Sequence, residues 1–284
     1  MYAITGASGQ LGRLVVQQLI ARGVAASQIV ALVRQPAKAA DLAAQGVVIR
    51  EADYSRPATL GPALAGVQRL LLVSSSELGQ RLTQHQAVIA AAQAAGVGFV
   101  AYTSLLHADT SPLGLGVEHR ATEDTLRASG LPYAVLRNGW YTENYLASVP
   151  PALQHGAFIG SAGEGRIASA TRLDYAEAAA VVLLAPPTSG TIHELAGDQA
   201  YTLAEFAAEL SRQSGKAVPY VNLPQADFEA ALKGAGLPGP VAELLADSDA
   251  GAALGGLFDG SGTLSRLIGR PTTPLAQAMA TALR

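Results

Sequence analysis

The chain has 284 residues, of which 49% are hydrophobic and only 14% charged, a composition typical of a compact globular protein. Its formal net charge of −3 excludes the broad basic surface that would hold a nucleic-acid backbone. Because the chain has no cysteine, disulfides, iron–sulfur clusters, cysteine-ligated zinc and thiol nucleophiles are excluded as well. The absence of cysteine also suits a reducing cytoplasm, which is the compartment we expect.

Neither a signal peptide nor membrane insertion is expected. The first residues lack a basic leader and reach a glycine at position 6. The longest apolar run, residues 178–185, ends at two prolines and is far shorter than the roughly 20 residues that span a bilayer. The five histidines are scattered without an i, i+4 pair, so we expect no metal site. The sequence therefore predicts a soluble protein that binds no metal.

In the first half of the chain, short apolar runs alternate with segments of helical periodicity. Buried strands are predicted at residues 2–5, 29–33, 47–49, 70–73, 99–102 and 133–136. Helical stripes lie between them, for example at Leu11, Leu14, Val15 and Leu19 and at Val88, Ile89 and Ala92. The glycines expected to close helices in the left-handed conformation are Gly23, Gly46, Gly96 and Gly130. This alternation predicts an α/β fold with a doubly wound parallel sheet of the Rossmann type.

After Leu136 the alternation weakens. Residues 174–184 predict a helix, residues 191–195 predict a strand, and Thr202–Glu205 has the sequence of a capping box. Between residues 219 and 262 prolines and glycines are frequent, and we expect short helices there. We interpret this part as a smaller, mostly helical C-terminal substrate domain or lid. The predicted Rossmann domain comprises residues 1–137 and about 165–197, and the smaller domain about 138–164 and 198–284.

The segment GASGQLG, residues 6–12, lies between the first predicted strand and the first predicted helix. In such a position Gly6 permits a tight turn, Gly9 lets the backbone approach a diphosphate, and Gly12 allows close packing of helix on strand. The diphosphate would lie at the helix N-terminus. The spacing is one residue wider than G-x-G-x-x-G, and an ordinary glycine-rich turn is the alternative. We expect the whole turn to contact a dinucleotide: Gly6, Ala7, Ser8, Gly9, Gln10, Leu11 and Gly12.

The end of the second strand indicates which dinucleotide. NAD enzymes usually carry Asp or Glu there, whereas this strand ends in Val33-Arg34-Gln35. Arg34 would suit the 2′-phosphate of NADP through charge-assisted paired hydrogen bonds, and a solvated arginine is the alternative. Asp53, after the third strand, is expected to accept from the adenine amino group, unless it is a turn or cap residue.

The segments GASGQLG, ALVR, EADY, LLLVSSSELGQR, AYTSLLHADTSPLG and LRNGWYTENYL together resemble the NmrA-like family of atypical short-chain dehydrogenase/reductases. The resemblance extends over almost the whole chain and is closer to the quinone-reducing members than to those that reduce triphenylmethane dyes. It implies a Rossmann domain, a small C-terminal domain, and an active site in the cleft between them.

The resemblance also implies further coenzyme contacts. Around the nicotinamide end these are Ser74, Ser75, Ser76, Asn138, Gly139, Trp140, Tyr141, Thr142 and Glu143, with Ser169 and Arg172 reaching the same cleft. Alternatives stay open, because serines can simply satisfy a strand end, and Trp140 and Tyr141 can be core aromatics.

Many short-chain reductases donate a proton from a Ser and a Tyr-x-x-x-Lys pair. Here Ser104 ends the fifth predicted strand, but the next helix, around residues 118–123, has neither Tyr nor Lys. A quinone does not need that apparatus, since hydride arrival gives a hydroquinone anion with delocalised charge, whereas a ketone gives a basic alkoxide. We therefore expect NADPH, without flavin or metal, to reduce a small planar acceptor such as a quinone by two electrons.

Four residues are candidates for handling the acceptor. Tyr141 and Asn144 would orient it, with the Asn144 amide donating to an acceptor oxygen. Tyr145 would stack on a flat ring. His119 would supply a proton, although a lone histidine on a helix is often a surface or packed residue.

Two other function classes remain. A non-catalytic NADP(H)-binding redox sensor of the NmrA type also lacks the Tyr–Lys pair. A sugar-nucleotide epimerase depends on that pair and is disfavoured. The sequence leaves open whether the chain forms a homo-oligomer.

Overall fold

The structure is a computed structural model that describes all residues from Met1 to Arg284. The nine strands are β1 (Tyr2–Thr5), β2 (Ile29–Val33), β3 (Val48–Glu51), β4 (Arg69–Leu72), β5 (Phe99–Leu105), β6 (Tyr133–Asn138), β7 (Phe158–Gly160), β8 (Thr191–Leu195) and β9 (Tyr220–Asn222). The first eight helices are α1 (Gln10–Ala21), α2 (Ala40–Ala44), α3 (Leu60–Leu64), α4 (Arg81–Ala94), α5 (Leu115–Ala128), α6 (Thr142–Leu146), α7 (Val149–His155) and α8 (Arg172–Leu184). The remaining five are α9 (Leu203–Ser214), α10 (Gln225–Gly234), α11 (Gly239–Ala253), α12 (Thr263–Ile268) and α13 (Leu275–Ala282).

Seven strands form one sheet in the order β3-β2-β1-β4-β5-β6-β8. The pairs β1–β2, β2–β3, β1–β4 and β4–β5 are all parallel. The chain reverses direction across the sheet after β3, when β4 pairs with the other side of β1, and this is where open α/β sheets bind ligands. The predicted Rossmann fold is confirmed. The fifth and sixth strands extend beyond the predicted runs, to Leu105 and Asn138.

The apolar side chains of the central sheet are buried under the helices that flank it. Ala3, Val30 and Leu70 pack in one buried cluster with Leu64 of α3 and Ile89 of α4. Helix α1 packs against α8. Fully burying a side chain of the size of Val or Leu contributes about 1.5–3 kcal/mol, so this layered packing holds the strand ends in place.

Local signals in the sequence set several helix boundaries. The glycines two residues after α1, α2, α4 and α5 all have positive φ, as predicted: Gly23 (87°), Gly46 (88°), Gly96 (67°) and Gly130 (73°). The capping box is also present at α9, where Thr202 Oγ1 accepts from the Glu205 N–H at 3.1 Å and Glu205 Oε2 accepts from the Thr202 N–H at 2.8 Å. These boundaries follow from local sequence alone.

The chain divides into two compact units. The first comprises Met1–Leu105, Val117–Arg137 and Arg172–His193, and the second Leu106–Gly116, Asn138–Thr171 and Glu194–Arg284. The second unit contains a small parallel sheet of β7 and β9, which the sequence analysis did not predict. Its helix α11 is 15 residues long, longer than the short helices expected in that region. None of the helices combines the length and hydropathy of a membrane span.

Candidate dinucleotide-binding site

The turn after β1 presents an uncapped helix N-terminus. Gly6 has φ +58°, and its carbonyl accepts from the Gly9 N–H at 2.8 Å, which closes the turn. Gly9 is the N-cap of α1, no side chain caps this end, and the first turn of α1 carries no acidic residue. Because the first N–H groups of a helix have no intrahelical acceptor, they and the helix dipole favour an anion here. This geometry fits the diphosphate of a dinucleotide.

Gly12 is required by close backbone packing. A Cβ atom on Gly12 would lie 2.5 Å from the Gly6 carbonyl oxygen and 2.9 Å from the Cα atom of Ala7. Both neighbours are backbone atoms, which cannot turn aside as a side chain can. Glycine at this position therefore lets α1 start directly against the turn.

Threonine hydroxyls hold the backbone that follows β4. The N–H of Val73 donates to Thr5 Oγ1 at 2.8 Å, and the N–H of Ser74 donates to Thr103 Oγ1 at 2.9 Å. Thr5 Oγ1 in turn donates to the Leu71 carbonyl at 3.2 Å. The ends of β1, β4 and β5 are thus joined by side chains as well as by the sheet itself.

Three side chains of α4 hold Ser75. Its N–H donates to Nε2 of His85 at 2.9 Å, its carbonyl accepts from Arg81 Nε at 2.8 Å, and its hydroxyl donates to Gln84. Burial, together with the charge of Arg81, lowers the pKa of His85 to about 3, so the ring stays neutral. Since Nε2 accepts, Nδ1 carries the proton and donates to Thr122 Oγ1 at 3.1 Å.

These segments surround one pocket of the first unit. The predicted coenzyme residues that line it are Gly6, Ser8, Gly9, Gln10, Leu11, Gly12, Arg34, Asp53, Ser74, Ser75 and Ser76. Ala7, which was predicted with them, is fully buried and does not line the pocket. Six further residues line the pocket and were not predicted from the sequence: Leu32, Ala52, Tyr54, Val73, Glu77 and Gln84. Most of these adjoin a predicted residue at a strand end, and that adjacency is the signal that could have found them.

Arg34 and Glu77 are an ion pair in this pocket. Arg34 Nη1 donates to Glu77 Oε1 at 2.7 Å. The two side chains remain 66% and 41% exposed, so water screens the pair. The pocket therefore carries a cation and an anion side by side at the end of β2.

Asp53 is engaged in its own turn. Oδ1 accepts from the Ser55 N–H and Oδ2 from Arg56 Nε, each at 3.0 Å. Burial opposes ionisation, but these hydrogen bonds outweigh it and the pKa of Asp53 lies below its usual value. The turn role left open by the sequence analysis is thus present, in a side chain that also lines the pocket. Beside it, the Tyr54 hydroxyl donates to the Val73 carbonyl at 2.9 Å.

In the second unit, Thr142 and Ser169 belong to a buried chain of hydroxyl groups. Thr142 Oγ1 lies 2.8 Å from Ser169 Oγ, which lies 2.6 Å from the hydroxyl of Tyr201. Burial raises the pKa of Tyr201, so its hydroxyl keeps its proton. Asn138 Nδ2 donates to the Tyr141 hydroxyl at 3.4 Å, while the buried Oδ1 of Asn138 has no hydrogen-bond partner in the chain.

Tyr145 is a core residue of the second unit. It is 7% exposed, and its ring centroid lies 6.2 Å from Trp140 and 6.0 Å from Phe206. Its hydroxyl donates to Asp249 Oδ1 at 2.8 Å. Burial raises the pKa of Asp249 to about 6, against the hydrogen bonds from Ser161 and Tyr145, which lower it. This enclosure does not favour the predicted stacking of Tyr145 on a flat ligand, and Trp140 takes the core role left open for it.

Other predicted residues of the second unit are more accessible. Tyr141, Glu143 and Asn144 are half-buried at the start of α6, whereas Gly139 is buried. In the first unit, Arg172 is half-buried and is the first residue of α8. No group of three or more His, Asp or Glu side chains is arranged to hold a metal ion.

The two candidates for acid–base work in the first unit are enclosed. The Ser104 hydroxyl donates to the carboxylate of Glu123, which also pairs with Arg137 Nη2 at 2.8 Å. His119 is 6% exposed, with Nδ1 at 2.7 Å from the Tyr102 hydroxyl. Burial, followed by the Arg81 charge, lowers the pKa of His119 well below its usual value. A neutral, enclosed imidazole does not favour the predicted role as a proton donor.

A model of the NAD(P)H-binding family matches residues 6–186, more than half of the chain. The chain belongs to the NAD(P)H-binding family. The match contains every segment that lines the pocket, and the family resemblance predicted from the sequence is confirmed.

Relatives extend this likeness to the whole chain. Quinone oxidoreductase 2 of Escherichia coli K12 is 63% identical over 279 residues, which cover 98% of this chain and 97% of that protein. The crystal structure of an NADPH-dependent quinone oxidoreductase from Escherichia coli complexed with NADPH has a TM-score of 0.97 at 62% identity and covers 100% of both chains. Triphenylmethane reductase from Citrobacter sp., complexed with NADP(H), has a TM-score of 0.94 at 38% identity and covers 99% of this chain and 100% of that one.

The close packing at Gly12 gives a test of the glycine turn in this member of the NAD(P)H-binding family. We expect Gly12→Ala to lower the free energy of unfolding by about 1–3 kcal/mol, because its Cβ would overlap backbone atoms of the turn. Gly61→Ala in α3 is the matched control, since no atom lies within 4 Å of a Cβ there. In a helix this control should be neutral or stabilise by up to about 1 kcal/mol. Urea unfolding of both variants checks this, and equal stability of the two would contradict the packing argument.

Proposed function

We propose that the protein is an NADPH-dependent oxidoreductase that reduces a planar, quinone-type acceptor by two electrons. The observation that carries the proposal is the pocket in which the uncapped N-terminus of α1 and the Arg34 guanidinium face the same space. Its support is the near full-length similarity to an Escherichia coli protein named quinone oxidoreductase 2. We assign this pocket to NADPH, and the proposal involves neither a flavin nor a metal.

The residues present fit NADPH in four places. The first amides of α1 would hold the diphosphate, and Arg34 at the end of β2 would hold the 2′-phosphate, where a guanidinium can donate two parallel hydrogen bonds. Asn138 Oδ1, a buried acceptor with no partner in the chain, suits an N–H donor such as the carboxamide of nicotinamide. Asp53, already a pocket residue, stays the proposed partner of the adenine amino group.

Hydride transfer from NADPH to a quinone requires little from the protein beyond the positioning of the two reactants. Bound NADPH supplies a hydride, and a quinone that receives it needs one further proton to become the hydroquinone. In the first unit Ser104 donates to Glu123 and His119 is neutral and enclosed, so neither is poised as a strong acid. A delocalised hydroquinone anion takes its proton readily from water. The chain would therefore act by binding both reactants and orienting them.

Tyr141 and Asn144 remain the residues proposed to orient the acceptor. Both are half-buried, whereas Tyr145 is buried. An amide N–H from Asn144 would stabilise the oxygen on which negative charge develops.

A non-catalytic redox sensor is the second candidate, because an enclosed Ser104 and a neutral His119 are equally compatible with coenzyme binding alone. The two functions differ in turnover. We expect the purified protein to oxidise NADPH in the presence of a simple benzoquinone, at a rate that depends on both reactants, as followed by NADPH absorbance. Tight NADPH binding without any turnover across several quinones would instead support the sensor.

Arg34 should decide the preference for NADPH over NADH. We expect Arg34→Glu to weaken NADPH binding by at least 10-fold, because a carboxylate then faces the 2′-phosphate, and to change the Kd of NADH by less than about threefold. Titration of each coenzyme by calorimetry measures this. Arg127→Glu, a similarly exposed arginine paired with Asp124 on α5, controls for the change in net charge. Equal losses for the two coenzymes would show that Arg34 does not contact the phosphate.

Asn144 gives a separate test of acceptor orientation. We expect Asn144→Ala to lower kcat/KM for the quinone by about 10-fold, the cost of losing one hydrogen bond to developing charge, while the Kd of NADPH changes less than twofold. Steady-state kinetics at saturating NADPH separates these quantities. If kcat and KM for the quinone are unchanged, Asn144 has no part in orienting it.

A further inference from the structure

The ion pair between Arg34 and Glu77 competes with the proposed binding of a coenzyme phosphate by Arg34. In the proposed function the Arg34 guanidinium must reach the 2′-phosphate of NADPH, yet its Nη1 already donates to Glu77 Oε1 at 2.7 Å. Both residues line the same pocket. A carboxylate in this position is a competitor that any incoming phosphate has to displace from Arg34.

Glu77 is held in place independently of Arg34. Its second carboxylate oxygen accepts from Gln84 Nε2 at 2.7 Å, and its backbone N–H donates to Ser75 Oγ at 3.1 Å. Gln84 is only 5% exposed, and its Nε2 also donates to the Ser55 hydroxyl at 2.9 Å. Glu77 therefore keeps two hydrogen bonds that hold its position when Arg34 turns away.

We propose that Glu77 is a specificity-determining residue for the coenzyme, which limits the preference for NADPH over NADH by competing with the 2′-phosphate for Arg34 and repelling it. This inference rests on the proposed function. A phosphate adds a charge of about −1.5 to −2 near neutral pH, next to the Glu77 carboxylate, whereas NADH carries only a hydroxyl at that position. Glu77 thus opposes the binding of one coenzyme and leaves the other almost unaffected.

The expected size of the change in NADPH affinity follows from the solvent exposure of Arg34 and Glu77. Both side chains are partly exposed, with 66% and 41% of their surface accessible, so the ion pair and the carboxylate–phosphate repulsion are each screened by water. We therefore expect a several-fold change in affinity, larger than experimental scatter and far smaller than the loss of Arg34 itself.

The variant that tests this is Glu77→Gln. It removes the charge but keeps a side-chain oxygen that accepts from Gln84, so the local fold is retained. We expect the Kd of NADPH to fall about three- to tenfold and the Kd of NADH to change less than twofold, as measured by calorimetric titration of both coenzymes. The ratio of the two Kd values should shift in favour of NADPH by at least threefold.

Two controls separate competition for Arg34 from a general charge effect. Glu51→Gln removes another carboxylate nearby, since Glu51 pairs in register with Val33 at the end of β2 but binds Arg56 and lies outside the pocket. It should change neither Kd by more than twofold. In the Arg34→Gln background, Glu77→Gln should strengthen NADPH binding less than it does in the wild type, because the repulsion of the phosphate is relieved but no guanidinium remains to be released.

The inference is overturned if Glu77→Gln weakens NADPH binding, which would show that Glu77 positions Arg34 for the phosphate. It is also overturned if both coenzymes gain equally, or if the gain persists in full without Arg34. These outcomes are distinct from failure of the proposed function. A wild-type chain that binds neither coenzyme contradicts the proposed function, whereas a wild-type chain that binds NADPH and reduces a quinone, with an unchanged ratio in Glu77→Gln, contradicts only the role of Glu77.

Discussion

The uncapped N-terminus of α1 is the feature on which the rest of the site depends. A side-chain cap at a helix N-terminus contributes about 0.5–2 kcal/mol, and here neither Gly9 nor any acidic residue of the first turn supplies one. The turn is tight enough that Gly12 lies against the Gly6 carbonyl. A chain that keeps this end uncapped and closely packed retains donors for an external anion, as expected of the NAD(P)H-binding family to which it belongs.

Buried side chains fix the backbone segment after β4, which lines the pocket beside this helix N-terminus. Thr5, Thr103 and His85 accept the three consecutive N–H groups of residues 73–75, so the backbone after β4 satisfies its donors inward. His85 serves this purpose only while neutral, and burial keeps it so. At the outer edge, by contrast, the ion pair between Arg34 and Glu77 is partly exposed and screened by water. In the proposed function, this interior would fix the position of the coenzyme, and the exposed pair of opposite charges would set the choice between NADPH and NADH.

The sequence predicts the fold well because its signals are local. Continuous apolar runs give the strands, and the glycines at positions 23, 46, 96 and 130 end helices where their φ is positive. Contacts between distant residues cannot be predicted in this way: Glu77 pairs with Arg34 across 43 positions, and no local pattern indicates that the two side chains meet. Strands β7 and β9 escape prediction because three residues carry no periodicity. Aromatic residues such as Tyr145 look the same in sequence whether they pack in a core or face a ligand.

The central claim is that the N-terminus of α1 binds the diphosphate of NADPH. A crystal structure of this protein with bound NADPH tests it most directly. We expect diphosphate oxygens within hydrogen-bond distance of the N–H groups of Gln10 or Leu11, about 2.7–3.2 Å between heavy atoms, and the 2′-phosphate against the Arg34 guanidinium. A coenzyme whose diphosphate lies away from the turn at residues 6–12 would contradict the account.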